Sequence, residues 1–123
     1  MMYQIDIMSR VPVYEQIVKQ TEQFILTGIL KPGDKMISVR NMSLELSVNP
    51  NTIQKALAEL DRRGLITSVP GKGSFIATNA LNVLFASGMN NLQKLKEDIE
   101  KLKLAGVDKQ QIREIIDEVY VND

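Results

Sequence analysis

The sequence predicts a mainly α-helical chain with one small β-hairpin, organised as a first domain over residues 1–78 and a short two-helix tail over 79–123. Three observations predict it. Apolar residues recur at helical spacing in three segments between Val13 and Leu60, each bounded by capping or turn residues. Two segments of strand composition bracket Pro70-Gly71-Lys72-Gly73. Beyond residue 80 the apolar spacing changes to alternating fours and threes.

The first helix opens at Pro12, which suits an early helical position, and carries Tyr14, Ile17, Val18, Thr21, Phe24 and Ile25 on one face as far as Gly28. Lys31-Pro32-Gly33-Asp34 has the composition of a turn. Ser38 caps a second, short helix to about Ser47, with Val39, Met42, Leu44 and Leu46 as its apolar positions. After the Ser47-Val48 break, Asn49 is the N-cap and Pro50 the first residue of a third helix, where a missing N–H costs nothing. Ile53, Ala56, Leu57 and Leu60 form its apolar face, and Gly64 stops it. Leu65–Val69 and Ser74–Ala77 are the two strands of the hairpin, whose tip is basic and Gly-rich.

In the tail, Leu81, Phe85, Gly88, Leu92, Leu95, Ile99 and Leu102 make a heptad seam that ends at Gly106. Asp108 with Gln111 three residues later has the form of a capping box, and Ile112, Ile115, Ile116 and Val119 follow on one face of a last helix. Neither helix can bury its stripe alone. A Leu-rich stripe is more often intramolecular core, but here the preceding domain is complete without it. The expected dimerisation residues are Leu81, Phe85, Leu92, Leu95, Ile99, Leu102, Ile112 and Ile116.

Composition removes most catalytic chemistry. With no Cys and no His among 123 residues, thiol nucleophiles, imidazole bases, Cys/His zinc sites and disulfides are all excluded, so no cofactor and no enzymatic role are predicted. The hydrophobic share of 44% and charged share of 24% are those of an ordinary folded domain. The net charge of zero divides into nine Lys/Arg against seven Asp/Glu up to residue 78 and six against eight beyond it, which permits nucleic-acid binding by the first domain without demanding it. There is no long apolar run and no signal-peptide pattern at the N-terminus, so the expected location is the cytoplasm, with no membrane partner.

Three helices followed by a hairpin, with a break of a few residues between the second and third helix, is the organisation of a winged helix-turn-helix. In that arrangement the N-terminal turn of the third helix enters the DNA major groove, so its side chains must be short, polar and free of core duties. Asn51, Thr52, Gln54 and Lys55 meet the requirement: Asn and Gln can pair with adenine, Thr can reach a base or its methyl group, and Lys can reach guanine or phosphate. Arg40 lies in the first turn of the second helix, where a cation opposes the helix dipole and a phosphate would relieve the cost. The wing tip Gly71, Lys72 and Gly73 can approach the DNA backbone, and the caps Ser38 and Asn49 complete the expected DNA-binding set. The competing reading is a winged-helix protein-interaction module. It requires an apolar or aromatic face on the third helix, where this sequence has Asn, Thr, Gln and Lys.

These residues carry a family likeness. Pro12-Val13-Tyr14-Glu15-Gln16-Ile17, Leu30 to Lys35, Ser38-Val39-Arg40, Asn49-Pro50-Asn51-Thr52-Ile53, Leu60 to Ile66 and Gly71 to Ile76 resemble, in order, the DNA-binding domain of the GntR family of bacterial transcriptional regulators. The short tail and the Asn-Pro-Asn-Thr sequence resemble the YtrA-like subfamily, in which a winged domain is joined to a small two-helix dimerisation tail. The resemblance implies a homodimeric, sequence-specific transcriptional repressor on double-stranded, pseudo-palindromic operator DNA, with a neighbouring transporter operon as its target. Many family members have Pro where Ile37 stands, Arg where Pro50 stands and a basic residue where Gln54 stands, so base preference does not transfer from relatives. A tail this short leaves little room for a pocket of several hundred Å³ in one subunit. A small-molecule effector is therefore left unassigned, with the dimer interface, the junction of tail and winged domain, and no effector at all as open alternatives.

Overall fold

The structure, a computed structural model, describes residues 2–121. Its elements run α1 (Val13–Leu26), α2 (Val39–Leu46), α3 (Pro50–Arg62), β1 (Ile66–Val69), β2 (Gly73–Ile76), α4 (Ala80–Leu104) and α5 (Lys109–Val119). The chain forms two compact units, Met1–Phe85 and Ala86–Asp123, so the start of α4 belongs to the first of them.

Local chemistry accounts for most of the boundaries. Ser38 Oγ accepts the Asn41 N–H at 3.1 Å to start α2, and Asn49 Oδ1 accepts the Asn51 N–H at 2.8 Å to start α3. Helix α3 stops in a Schellman motif: the Leu65 N–H donates to the Leu60 carbonyl at 3.0 Å and the Gly64 N–H to the Asp61 carbonyl at 2.9 Å. Gly64 takes φ +79°, which that motif requires and a side chain would resist. Strands β1 and β2 pair antiparallel with Ile66 opposite Ile76, and Lys35 adds a single bridge to Phe75 on the other edge of β2.

The core of the first unit gathers Ile17, Val18 and Ile25 of α1, Met42 of α2, Ile53, Ala56 and Leu60 of α3, and Leu65, Ile66 and Ile76 around the hairpin. Ala80 and Leu84 from the start of α4 join it, and Leu81 packs half-buried against it, so part of the apolar surface expected in the seam is spent within the protomer. Leu44 corrects the expected pattern of α2, because it is 69% exposed. Two residues from both Met42 and Leu46, it lies about 200° round the helix from each, on the solvent side.

The N-terminal segment is the element that spacing did not reveal. Gln20 accepts the Gln4 N–H at 2.9 Å and donates back to the Gln4 carbonyl at 2.6 Å; one turn earlier Gln16 does the same for Asp6 at 2.9 and 2.8 Å. Two side-chain amides thus strap an irregular segment along α1. Tyr3 is buried at its start, its ring edge-on to Phe24 at 5.1 Å. The Thr21 hydroxyl donates to the Ile17 carbonyl at 2.7 Å and has one proton to give, so the Tyr3 hydroxyl is the donor across the 2.7 Å contact between them. Burial raises the Tyr3 phenol pKa.

Between α2 and α3, Ser47 holds φ +54°, the left-handed region. An L-residue there costs about 1–2 kcal/mol, of which glycine's larger loss of chain entropy cancels a part. Ser47→Gly is expected to raise stability by about 0.5–1 kcal/mol in a denaturant titration, with no change in the slope.

The second unit contains the rest of α4 and α5. Gly106 ends α4 with a second Schellman pair, the Val107 N–H to the Leu102 carbonyl at 3.0 Å and the Gly106 N–H to the Lys103 carbonyl at 3.1 Å. The capping box at α5 is present in both directions, 3.0 Å from the Gln111 N–H to Asp108 Oδ1 and 2.9 Å from the Asp108 N–H to Gln111 Oε1. From Ala86 to Val121 no residue is buried, and only Ile99, Val107 and Ile112 are half-buried.

Candidate nucleic-acid interface

Helix α3 has two faces. Ile53, Ala56 and Leu60 are buried, whereas Asn51, Gln54, Lys55 and Ala58 are exposed and Thr52 is half-buried at the edge. At 100° per residue, Asn51, Lys55 and Ala58 fall on the outward side, with Thr52 and Gln54 on its two flanks. Among the described residues, no hydrogen bond engages the side chains of Asn51, Thr52 or Gln54, and Asn51 uses only its backbone N–H, in the cap. Asn49 differs, because its Oδ1 is committed to the cap and only its amide N–H₂ is left to donate. Ser38 is committed in the same way at the start of α2.

Arg40, the second residue of α2, is exposed and forms no salt bridge among the described residues. The wing tip closes by a 3.0 Å bond from the Lys72 N–H to the Val69 carbonyl, with Pro70 and Gly71 as central residues and Gly71 at φ +77°. That is the residue order of a type II turn, which leaves Lys72 exposed at the end of the hairpin. A cleft lined by Lys35, Ser38, Leu57, Lys72 and Gly73 brings the start of α2, the middle of α3 and the wing together. Of the expected set, therefore, Ser38, Lys72 and Gly73 share one cleft, Asn51, Thr52, Gln54 and Lys55 share the exposed side of α3, and Arg40 stands on the first turn of α2.

Three features went unread in the sequence. Lys35 lies against the wing, its Cε 3.1 Å from where a Cβ on Gly73 would stand, so a second cation joins Lys72 in the cleft. Ala58 continues the outward side of α3 with a small apolar surface. Lys55 is not free: its Nζ sits 4.1 Å from the centroid of the Tyr14 ring on α1. At the other end of α3, Glu59 accepts from Arg62 and Arg63, and Arg63 reaches Glu22 of α1 at 2.6 Å. Those hydrogen bonds, from Arg62 first and then Arg63, hold the Glu59 carboxyl down at about 2. The network ties α3 to α1 and sets both arginines against carboxylates, apart from the residues at the helix start.

Among the described residues no group of His, Cys, Asp and Glu could hold a metal ion, and no helix is long and apolar enough to cross a membrane. What remains is a polar helix start flanked by cations on neighbouring elements.

Residues 13–76 match the model of the bacterial regulatory proteins of the gntR family, which is more than half of the chain. The chain belongs to the GntR family. It is a DNA-binding transcriptional regulator with a winged helix-turn-helix, not an enzyme. Over 119 residues it is 41% identical to the HTH-type transcriptional repressor YtrA of Bacillus subtilis (strain 168), an alignment covering 96% of this chain and 92% of that one. A solved transcriptional regulator from Oenococcus oeni superposes with a TM-score of 0.70 at 33% identity, over 94% of this chain and 96% of that one. Over 60% of its length the chain is similar to the DNA-binding domain of AraR solved in complex with operator ORX1, with a TM-score of 0.54, 29% identity and 92% of that chain covered.

Proposed function

We propose that this GntR-family protein is a homodimeric, sequence-specific repressor acting in the cytoplasm, which reads a pseudo-palindromic operator with the start of α3 from each protomer. The observation that carries the reading is the exposed and otherwise unengaged group Asn51, Thr52 and Gln54 at the helix start, with Arg40 and Lys72 as exposed cations on the flanking elements. Asn51 and Gln54 supply the donor and acceptor pair that adenine requires, Thr52 reaches a base edge, and Arg40, Lys55 and Lys72 neutralise phosphates. The Asn49 amide and the Ser38 cap border this surface and fix where it begins.

A two-fold pairing of tails supports the second half of the proposal. Phe85, Leu92, Leu95, Leu102 and Ile116 are all at least 41% exposed, which leaves an apolar stripe without cover in one protomer. A dimer places two α3 helices about 34 Å apart, one turn of DNA, and so predicts inverted half-sites at that spacing. Repression is carried over from the YtrA relative, and the operator partner from the AraR complex. By its resemblance to the YtrA-like subfamily, the target is a transporter operon beside the protein's own gene.

Two substitutions separate reading from anchoring. Gln54→Ala is expected to change the ranking of operator variants by about 1–3 kcal/mol at one base position in each half-site. Arg40→Ala is expected to weaken all variants alike, as loss of a phosphate contact does. Binding of both variants with wild-type affinity and ranking contradicts the assignment of this face to the groove.

A further inference from the structure

Lys55 stands on the exposed side of α3, yet its ammonium is drawn to another helix. Its Nζ is 4.1 Å from the centroid of the Tyr14 ring, within the range where a cation is attracted by an aromatic face. Tyr14 is itself held. It is half-buried in the first turn of α1, and its hydroxyl donates to the Glu15 carboxylate at 3.0 Å. That hydrogen bond, then burial and the charges of Glu15 and Glu59, raise the pKa of this phenol, with the Arg63 charge opposing them. Helix α1 packs along α3 through Ile17, Val18, Ile53 and Leu60 in the shared core, which fixes the ring relative to the helix that carries Lys55.

Two consequences follow from this placement. A lysine is a compact charge on a long flexible stem, and ordering that stem on binding costs affinity. A stem already ordered on a ring has met part of that cost. The ring occupies one side of the ammonium, and its N–H donors on the other side remain available to an oxygen. The head group also lies on the α1 side of α3, whereas Asn51, Thr52 and Gln54 carry no such restraint among the described residues.

Resting on the DNA-binding reading above, we propose that Tyr14 is a positioning residue that holds Lys55 as a contact to the DNA backbone phosphate, leaving base readout to Asn51, Thr52 and Gln54. The division of labour is testable because phosphate contacts change affinity and salt dependence while base contacts change sequence preference.

The experiment is a double-mutant cycle on the full-length protein, read by fluorescence anisotropy on the duplex that the wild type prefers over scrambled DNA, across a salt series. Lys55→Ala is expected to weaken binding by about tenfold at about 0.1 M salt, to lower the salt slope by about 1, and to leave the ranking of operator variants unchanged. Tyr14→Leu is expected to weaken binding by about 2- to 5-fold with the salt slope intact, because the phosphate contact is still made from a less ordered lysine. Tyr14→Phe, which keeps the ring, is expected to stay within about twofold of wild type. In the Lys55→Ala background, Tyr14→Leu is expected to add nothing. In the free protein, the Lys55 ε-methylene protons are expected to show an upfield ring-current shift by NMR that Tyr14→Phe retains and Tyr14→Leu abolishes, while the dispersed methyl resonances of the buried core, retained in every variant, establish that each is folded.

An undiminished Tyr14→Leu loss without Lys55, a change in operator ranking on Lys55→Ala, or the absence of the ring-current shift overturns the inference and leaves the DNA-binding reading standing. If the wild type prefers no duplex, that reading fails and the inference fails with it.

Discussion

Replacing Leu92 and Leu95 together by Lys is expected to convert the protein to a monomer and to weaken operator binding by about 10²- to 10⁴-fold, the gain that joining two half-site contacts supplies. Both residues are on α4, 55% and 52% exposed, so neither substitution removes buried surface from the protomer. From Ala86 to Val121 the chain has no buried residue, and a compact unit without a core of its own requires another surface to cover its apolar stripe. Charges placed on that stripe would have to be desolvated in the proposed dimer. Sedimentation equilibrium reads the change in mass, and an unchanged unfolding midpoint of the winged unit shows that the loss is one of assembly. A dimer that persists with both lysines in place contradicts the tail pairing.

Leu60→Ala is expected to cost about 2–5 kcal/mol of stability. Leu60 is fully buried in α3, and its carbonyl also accepts the Schellman bond from Leu65, so a cavity there loosens both the helix end and the start of the hairpin. Against the 5–15 kcal/mol typical of a small domain, that is a large share. Urea titration should show a lowered midpoint with an unchanged slope. A loss below about 1 kcal/mol means that the core closes over the gap left by Leu60.

The parts of the fold that were legible in the sequence are those whose chemistry is local. Ser38, Asn49 and Asp108 each accept an N–H two or three residues ahead, so caps can be read from residue type and spacing alone. Gly64 and Gly106 end helices for the same reason, and Pro70-Gly71 closes the hairpin. The parts that were not legible depend on partners far along the chain. The strap over α1 uses Gln16 and Gln20, which read as ordinary polar helix residues until Gln4 and Asp6 lie beside them. The Lys35 bridge to β2 leaves no periodic pattern, and Tyr14 reads as another position on an apolar helix face until Lys55 stands over it. Leu44 was misread because an eight-residue helix offers too few turns for one off-phase leucine to stand out.

The candidate interface follows the same division. The exposed start of α3 follows from the Asn49 cap, the Pro50 start and the apolar spacing after it, all of them local. That Lys55 leans on α1 while Asn51 and Gln54 do not is a property of the folded unit, and it separates residues that the sequence presents as equivalent.

The most direct measurement is fluorescence anisotropy of the full-length protein with DNA from upstream of its own gene, at two salt concentrations and against a scrambled competitor. The account predicts binding that survives the competitor, weakens as salt rises, and saturates at two protomers per site. Folded protein that binds that DNA no better than the scrambled duplex at either salt would contradict it.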